Sequence, residues 1–246
     1  MVELRQAFAD LLASLERSRR DLVQASKLAV VGEMAAIMAH EVRTPLGILR
    51  SSAEMLQRDA NLSPVSQEMT QFILSETERL GKLVTTLLEC ARPRPPQFCL
   101  VPPKLLIDRV TELLQSRIAR RRVALEVDID TDGSIECDPD HLVQVLLNLV
   151  INALQHVPEG GRILIRSRLD PQCWRVWVCD DGPGIAAELR ERVFDPFFSR
   201  REGGIGLGLT VVRQIVQAHH GDIEVVDGPL EGACFHFWLP REQKHA

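Results

Sequence analysis

Apolar residues recur along this chain in more than one rhythm, and each rhythm predicts a different architecture. The first alternates steps of four and three: Leu4, Phe8, Leu11, Leu15, Ser18, Leu22, Ala25 and Ala29, with charged residues between them. That is a coiled-coil seam, flawed at Ser18. A seam this narrow over about four heptads predicts a partner helix, most simply in a second copy of the chain; one amphipathic helix packed on its own domain is the alternative. Helical periodicity continues through Met38, Val42, Leu46, Leu49, Ala53 and Leu56, and breaks at DANLSP (59–64). It resumes from Val65 to Cys90 with Phe72, Leu80, Leu83, Leu87 and Leu88, so a helical hairpin is expected. Two such hairpins would close a four-helix bundle, hiding stripes that one hairpin leaves half exposed.

At ARPRPPQ (91–97) the periodicity stops in a proline-rich stretch that favours stiff, extended backbone. The boundary placed there divides the chain into a coiled-coil segment (1–30), the hairpin (31–90), the linker (91–97) and a second domain (98–246). In that domain helix and strand patterns mix. Helices are expected over 103–121, 139–157 (with Pro139 in its first turn) and 207–221, the last ended by glycine. Strands are expected over 123–129, 162–169 and 174–180, and at DIEVVD and ACFHFWLP. Without strict βαβ alternation, an α+β two-layer sandwich with helices on one face fits better than a doubly wound sheet.

Composition changes this picture little. The 246 residues are 45% apolar, enough for one large or two modest packed domains. A net charge of -5 gives no basic excess to recruit nucleic acid or an anionic membrane. No apolar run approaches the roughly 20 residues of a membrane helix, and the start lacks a signal peptide's apolar core. Any membrane input is therefore expected outside this chain. The six cysteines, at 90, 99, 137, 173, 179 and 234, form no CxxC pair and no metal-ligand spacing. They read as scattered reduced thiols in a cytoplasmic setting.

Four segments carry candidate chemistry. In WRVWVCDDGPGI, alternation puts Trp174, Val176, Val178 and Asp180 on one strand face, so an acid follows an inward apolar row. An ionised carboxylate there could accept the exocyclic amine of an adenine ring, or it could simply cap the following turn. GGIGLGL (203–209) sets Gly204, Gly206 and Gly208 before an apolar helix, a pattern suited to a lid of backbone amides facing phosphate, or to a plain loop. Asn148 and Asn152 are four apart on one helix face; two amide oxygens suit Mg2+, or they tie the helix to a loop. His156, four further on, is as consistent with a helix-end histidine as with a phosphate or ribose contact. In AHEVRTPLG (39–47), His40 lies two residues from Met38 and Val42, about 200° from the buried stripe, and so faces water. Thr44 follows on the same side, Glu41 can orient the ring or take its proton, and Pro45 should bend the helix beside it.

In this order the segments resemble the catalytic core of bacterial two-component sensor histidine kinases. AHEVRTPLGIL resembles that family's H-box, LVQVLLNLVINALQH its N-box, VCDDGPGIA its G1 box, VFDPFFSRREGG its F-box region and GGIGLGLTVV its G2 box. The resemblance covers nearly the whole chain. It implies a signalling helix, a dimeric dimerisation and phosphotransfer bundle, and a GHKL-type ATP-binding sandwich. It further implies His40 as phosphoacceptor, Glu41 as acid-base partner and Asn148 and Asn152 as the Mg2+ face. Asp180 would be the adenine reader, with Gly182 and Gly184 shaping the adenine pocket and Gly204, Gly206 and Gly208 forming the lid. The implied partners are a second copy, a response-regulator receiver domain and an upstream sensor, with phosphatase activity linked to Thr44. Two departures stand out: Ile205 occupies a position that often holds Thr, and Arg200 and Arg201 replace a lysine, keeping charge in a fork suited to phosphate. A nucleotide-binding docking module without autophosphorylation, and a GHKL ATPase or serine kinase, are the rival readings.

Overall fold

The alternation read in residues 174–180 is realised as a central strand of a five-stranded sheet. A computed structural model describes residues 42, 44–58, 63–91, 94–130, 132–200 and 206–243. The chain divides into two units, Met1–Pro93 and Arg94–Ala246. His40, Glu41, the coiled-coil seam, Arg201 and Gly204 all lie outside the described residues.

In the first unit, helix α1 runs through 44–57 and α2 spans Pro64–Ala91. Ser63 caps α2, its hydroxyl accepting the Ser66 amide at 3.1 Å, with Pro64 at the first helical position where its missing N–H costs nothing. Ala53, Thr70 and Thr77 are buried, and Gln57 bonds Gln71 across the hairpin at 3.1 Å. Ile48, Leu49, Met55, Leu56, Met69 and Phe72 remain exposed. No described helix is long and apolar enough to cross a membrane.

The second unit runs β1 (Cys99–Val101), α3 (Pro103–Arg121), β2 (Ala124–Asp130), β3 (Ile135–Cys137), α4 (Pro139–His156), β4 (Arg162–Leu169), β5 (Cys173–Asp180), α5 (Gly208–Ala218), β6 (Asp222–Val226) and β7 (Cys234–Pro240). Two short 3-10 turns, Ala187–Leu189 and Arg192–Phe194, lie between β5 and α5. The large sheet has the order β2-β4-β5-β7-β6, and β1 pairs with β3 apart from it. Only β2 and β4 are parallel; the other pairs are antiparallel. Register aligns Ile165, Val178, Phe235 and Val225 in one inward row, and Ser167, Val176, Phe237 and Ile223 in the next. These rows meet Leu142, Leu146, Leu149 and Val150 of α4 and Val212 and Val216 of α5, all buried. Trp174, fully buried, places its one polar atom on the Ser167 hydroxyl at 2.8 Å, which removes the cost of an orphan donor. The unit is thus the α+β two-layer sandwich expected from the pattern.

Two expectations are corrected. Cys179 and Cys234 are joined by a disulfide rather than being separate thiols. They are direct register partners on β5 and β7, a proximity that a separation of 55 residues hides from spacing rules. With that bond, cysteine usage no longer argues for a reducing compartment. The second correction concerns the end of α5. The left-handed position belongs to His220 (φ 57°), not to Gly221. Gly221 is required for another reason: a Cβ there would stand 2.0 Å from the Trp238 carbonyl oxygen, inside the backbone of β7.

Candidate functional site

Three chain segments meet where β5 ends: the C-terminal turn of α4, the 180–184 turn and the loop that leads into β7. Asp180, 2% exposed, is the last inward residue of β5, and its carboxylate is the centre of the cluster. The amides of Gly182 (2.9 Å) and Ala233 (3.1 Å) both donate to the same oxygen, Oδ1. The backbone doubles the link to Ala233, with the Asp180 amide donating to the Ala233 carbonyl at 2.8 Å and the Gly232 amide donating to the Asp180 carbonyl at 3.0 Å. Burial pushes the Asp180 carboxyl above the ordinary carboxylate range; those two amides and His156 pull the other way without cancelling it.

Glycine is forced at two of these positions. A Cβ on Gly232 would lie 2.3 Å from Asp180 Oδ1 and 2.4 Å from both its carbonyl oxygen and the Gly182 nitrogen. A Cβ on Gly182 would meet Asp180 Oδ1 at 2.9 Å and the His156 carbonyl at 3.1 Å, so the end of α4 abuts the turn directly. Gly184 has φ 71°, where an L side chain is strained. Asp181 accepts the Arg162 amide at 2.8 Å and closes the edge of β4.

The α4 face carries Asn148 and Asn152 as the four-residue spacing required. Asn148 Nδ2 donates to the Gly208 carbonyl at 3.4 Å, which brings the middle of α4 to the first residue of α5. The His156 ring is exposed and turns back on its own helix, with Nδ1 at 2.8 Å from the Asn152 carbonyl. At the neck of the glycine segment, Gly206 (φ 71°) lets Phe197 and Phe198 approach so closely that a Cβ would sit 2.4 Å from the Phe198 carbonyl. The Phe197 amide donates to the Gly206 carbonyl at 3.1 Å, tying the two ends of the 198–205 stretch. Below it, buried Thr210 donates to the Phe194 carbonyl at 3.1 Å, and the Arg213 guanidinium covers the Phe194 ring at 4.3 Å. Arg200 is exposed, as are Thr44 and Pro45 on α1.

The structure therefore brings Asp180, Gly182 and the end of α4 together, and joins Asn148 to Gly208. Gly232, Ala233, Phe194 and Thr210 are parts of the same assembly that the sequence reading missed. For Gly232 a weak signal existed in GPLEGA, a turn preceding a strand; nothing local says that this turn lands on Asp180.

Two family models match the chain. Residues 137–243 match the "Histidine kinase-, DNA gyrase B-, and HSP90-like ATPase" model, and residues 30–96 match the "His Kinase A (phospho-acceptor) domain" model. The signal transduction histidine-protein kinase AtoS of Escherichia coli (strain K12) is 37% identical over 235 residues, covering 95% of this chain and 38% of that protein. Among solved structures, full-length ShkA in complex with AMPPNP is similar over 87% of this chain and 47% of its own, at TM-score 0.76 and 28% identity. The histidine kinase ThkA in complex with the response regulator TrrA is similar over 93% of this chain and 67% of its own, at TM-score 0.65 and 30% identity. The chain spans about half or less of the length of the curated kinases it matches.

Proposed function

This chain belongs to the bacterial two-component sensor histidine kinase family, as a catalytic core, and on that premise we propose that it is an ATP-dependent protein-histidine kinase acting as a homodimer. ATP is bound by the second unit. One observation carries this reading: a carboxylate buried to 2% exposure takes both its amide bonds on one oxygen, at a turn where glycines alone fit. The second oxygen would accept the exocyclic amine of adenine, and a purine edge there would complete the carboxylate's hydrogen bonding.

At the phosphate end, Asn148 and Asn152 would hold Mg2+ through amide oxygens. The donor set fits: Asn148 gives its Nδ2 to the Gly208 carbonyl, so a cation would be met by its amide oxygen, the kind of ligand that Mg2+ takes. When bound, Mg2+ supplies charge neutralisation at the phosphates. Gly204, Gly206 and Gly208 would turn amides toward the same oxygens, with Arg200 and Arg201 adding forked donors. His40 attacks the γ-phosphorus with a ring nitrogen lone pair as the bond to the β-phosphate oxygen breaks, and Glu41 takes the proton from the other ring nitrogen. The phosphoryl group then passes to a receiver-domain aspartate. Thr44 would position a water for the reverse task of removing it.

The exposed apolar residues of the hairpin support the dimer, because a second hairpin would cover them. The ThkA complex with TrrA supports a response-regulator partner. Incubation of the purified chain with γ-labelled ATP and Mg2+ tests the reading. An acid-labile, base-stable label that disappears in His40→Gln is expected. Free phosphate without label would favour an ATPase, and nucleotide binding with neither would favour a docking module.

A further inference from the structure

At the other end of α4, Asp138 is 1% exposed, and its two oxygens have separate tasks. Oδ1 accepts the amides of Asp140 (3.1 Å) and His141 (3.2 Å), which is all that capping a helix N-terminus requires. Oδ2 accepts the Gln97 amide and Arg94 Nη2, both at 2.8 Å. Half of a buried carboxylate is thus committed to the linker. The Asp138 amide in turn donates to His219 Nε2 at 3.0 Å, while His219 Nδ1 faces the Ile215 carbonyl at 2.8 Å. These bonds fix a neutral ring with its proton on Nδ1. Burial holds the His219 pKa below the usual histidine range, in agreement. Phe98 sets its ring against His219 at 5.3 Å and 81°. Arg94, Gln97 and Phe98 are therefore all held where α4 begins and α5 ends.

We propose that Asp138 and Arg94 form a clasp that fixes the point at which the linker leaves the ATP-binding unit, making both of them positioning residues for phosphoryl transfer to His40. The inference rests on the kinase reading. A free linker of seven residues would spread its load over a wide volume, and effective concentration falls steeply as a tether lengthens. Holding residues 94–97 shortens the tether by about 13 Å. The clasp is also built on the two helices that carry the phosphate end: Asn148 lies ten residues along α4, about 15 Å by helix rise, and Gly208 opens α5. The tether point is thus set rigidly against the atoms that present the phosphate.

Arg94→Gln is the clean variant, since the Arg94 side chain is half exposed and bonds Asp138, at the start of α4, which is not among the residues proposed to hold the nucleotide. We expect kcat for autophosphorylation to fall by about tenfold or more, with KM for ATP unchanged. Arg94→Lys, which keeps a charged donor, should recover most of the loss. A lesion that merely loosened the fold would move KM as well. Hydrogen exchange supplies a second readout: the Gln97 amide should be protected in the full chain and should lose that protection in Arg94→Gln, while the α4 amides keep theirs. A wild-type rate in Arg94→Gln, or an unprotected Gln97 amide in the parent chain, would overturn the clasp. A parent chain that takes no label overturns the kinase reading instead, and the positioning role with it.

Discussion

Asp138 and Asp180 stand at opposite ends of the same helix neighbourhood, both almost wholly buried, and they titrate in opposite directions. Burial pushes both carboxyls up. At Asp138 the amides of Gln97 and His141, with the charges of His141 and Arg94, more than offset it, and the group ends below the ordinary range. At Asp180 two amides on one oxygen do not suffice. The difference separates a saturated carboxylate, which holds the fold and the linker, from an under-supplied one with both its amide bonds on one oxygen, the group we propose for the adenine amine. Strongly perturbed groups gather at functional sites, but the number of committed lone pairs, not burial, tells these two apart.

Substituting each by the isosteric amide gives a way to break this contrast. Asp138→Asn keeps the cap on Oδ1 but turns an NH2 toward the Gln97 amide and Arg94, so donor meets donor. We expect the second unit to lose about 2–3 kcal/mol in a urea titration. Loss below about 0.5 kcal/mol would mean that the buried charge is not structural. Asp180→Asn should behave in reverse. Its carbonyl can still accept from Gly182 and Ala233, so the fold stands, yet an NH2 now faces the adenine amine. Nucleotide affinity by calorimetry should fall about 100-fold, equivalent to about 2.7 kcal/mol, while the unfolding midpoint at pH 7 rises. An unchanged affinity would remove Asp180 from the site.

The contrast also marks how far the sequence could be read. Alternation alone aimed Asp180 inward after Trp174, Val176 and Val178, and a spacing of four alone put Asn148 and Asn152 on one face. Both are local geometry. What sequence could not supply was the other half of each contact. The Ala233 amide, 53 residues further on, and the close approach of Gly232 come from the loop that leads into β7, the strand that pairs with β5. The Cys179–Cys234 bond depends on the same pairing. Asp138 drew no attention in the sequence, since the partner of its second oxygen, Arg94, lies 44 residues back. The linker's prolines signalled stiffness, but not that Arg94 and Gln97 would be fastened to the unit that follows. Register and return crossings are set by the packing of whole strands, and no window of ten residues contains them.

The smallest effect sharpens the comparison most, because it reads the sign of each shift directly. A folded-state pKa raised above its unfolded value means that the native state binds the proton more readily, so stability falls as pH rises between the two values. Asp180 therefore costs stability at neutral pH, and that cost disappears as pH drops through its raised folded-state pKa. Asp138, lowered, contributes stability at neutral pH that is lost only on falling through its depressed folded-state pKa, further into acid. His219, held neutral by burial, loses stability as pH falls through the ordinary histidine range, but it does so equally in every variant with Asp138 and the α5 end intact. Comparing the parent chain with Asp180→Asn cancels it. The unfolding midpoint of Asp180→Asn should exceed that of the parent at pH 7, and the gap should close as the buffer is acidified toward the ordinary carboxylate pKa. A gap that stays constant with pH would show that Asp180 carries no penalty of burial, and the under-supplied carboxylate would then be as well satisfied as Asp138.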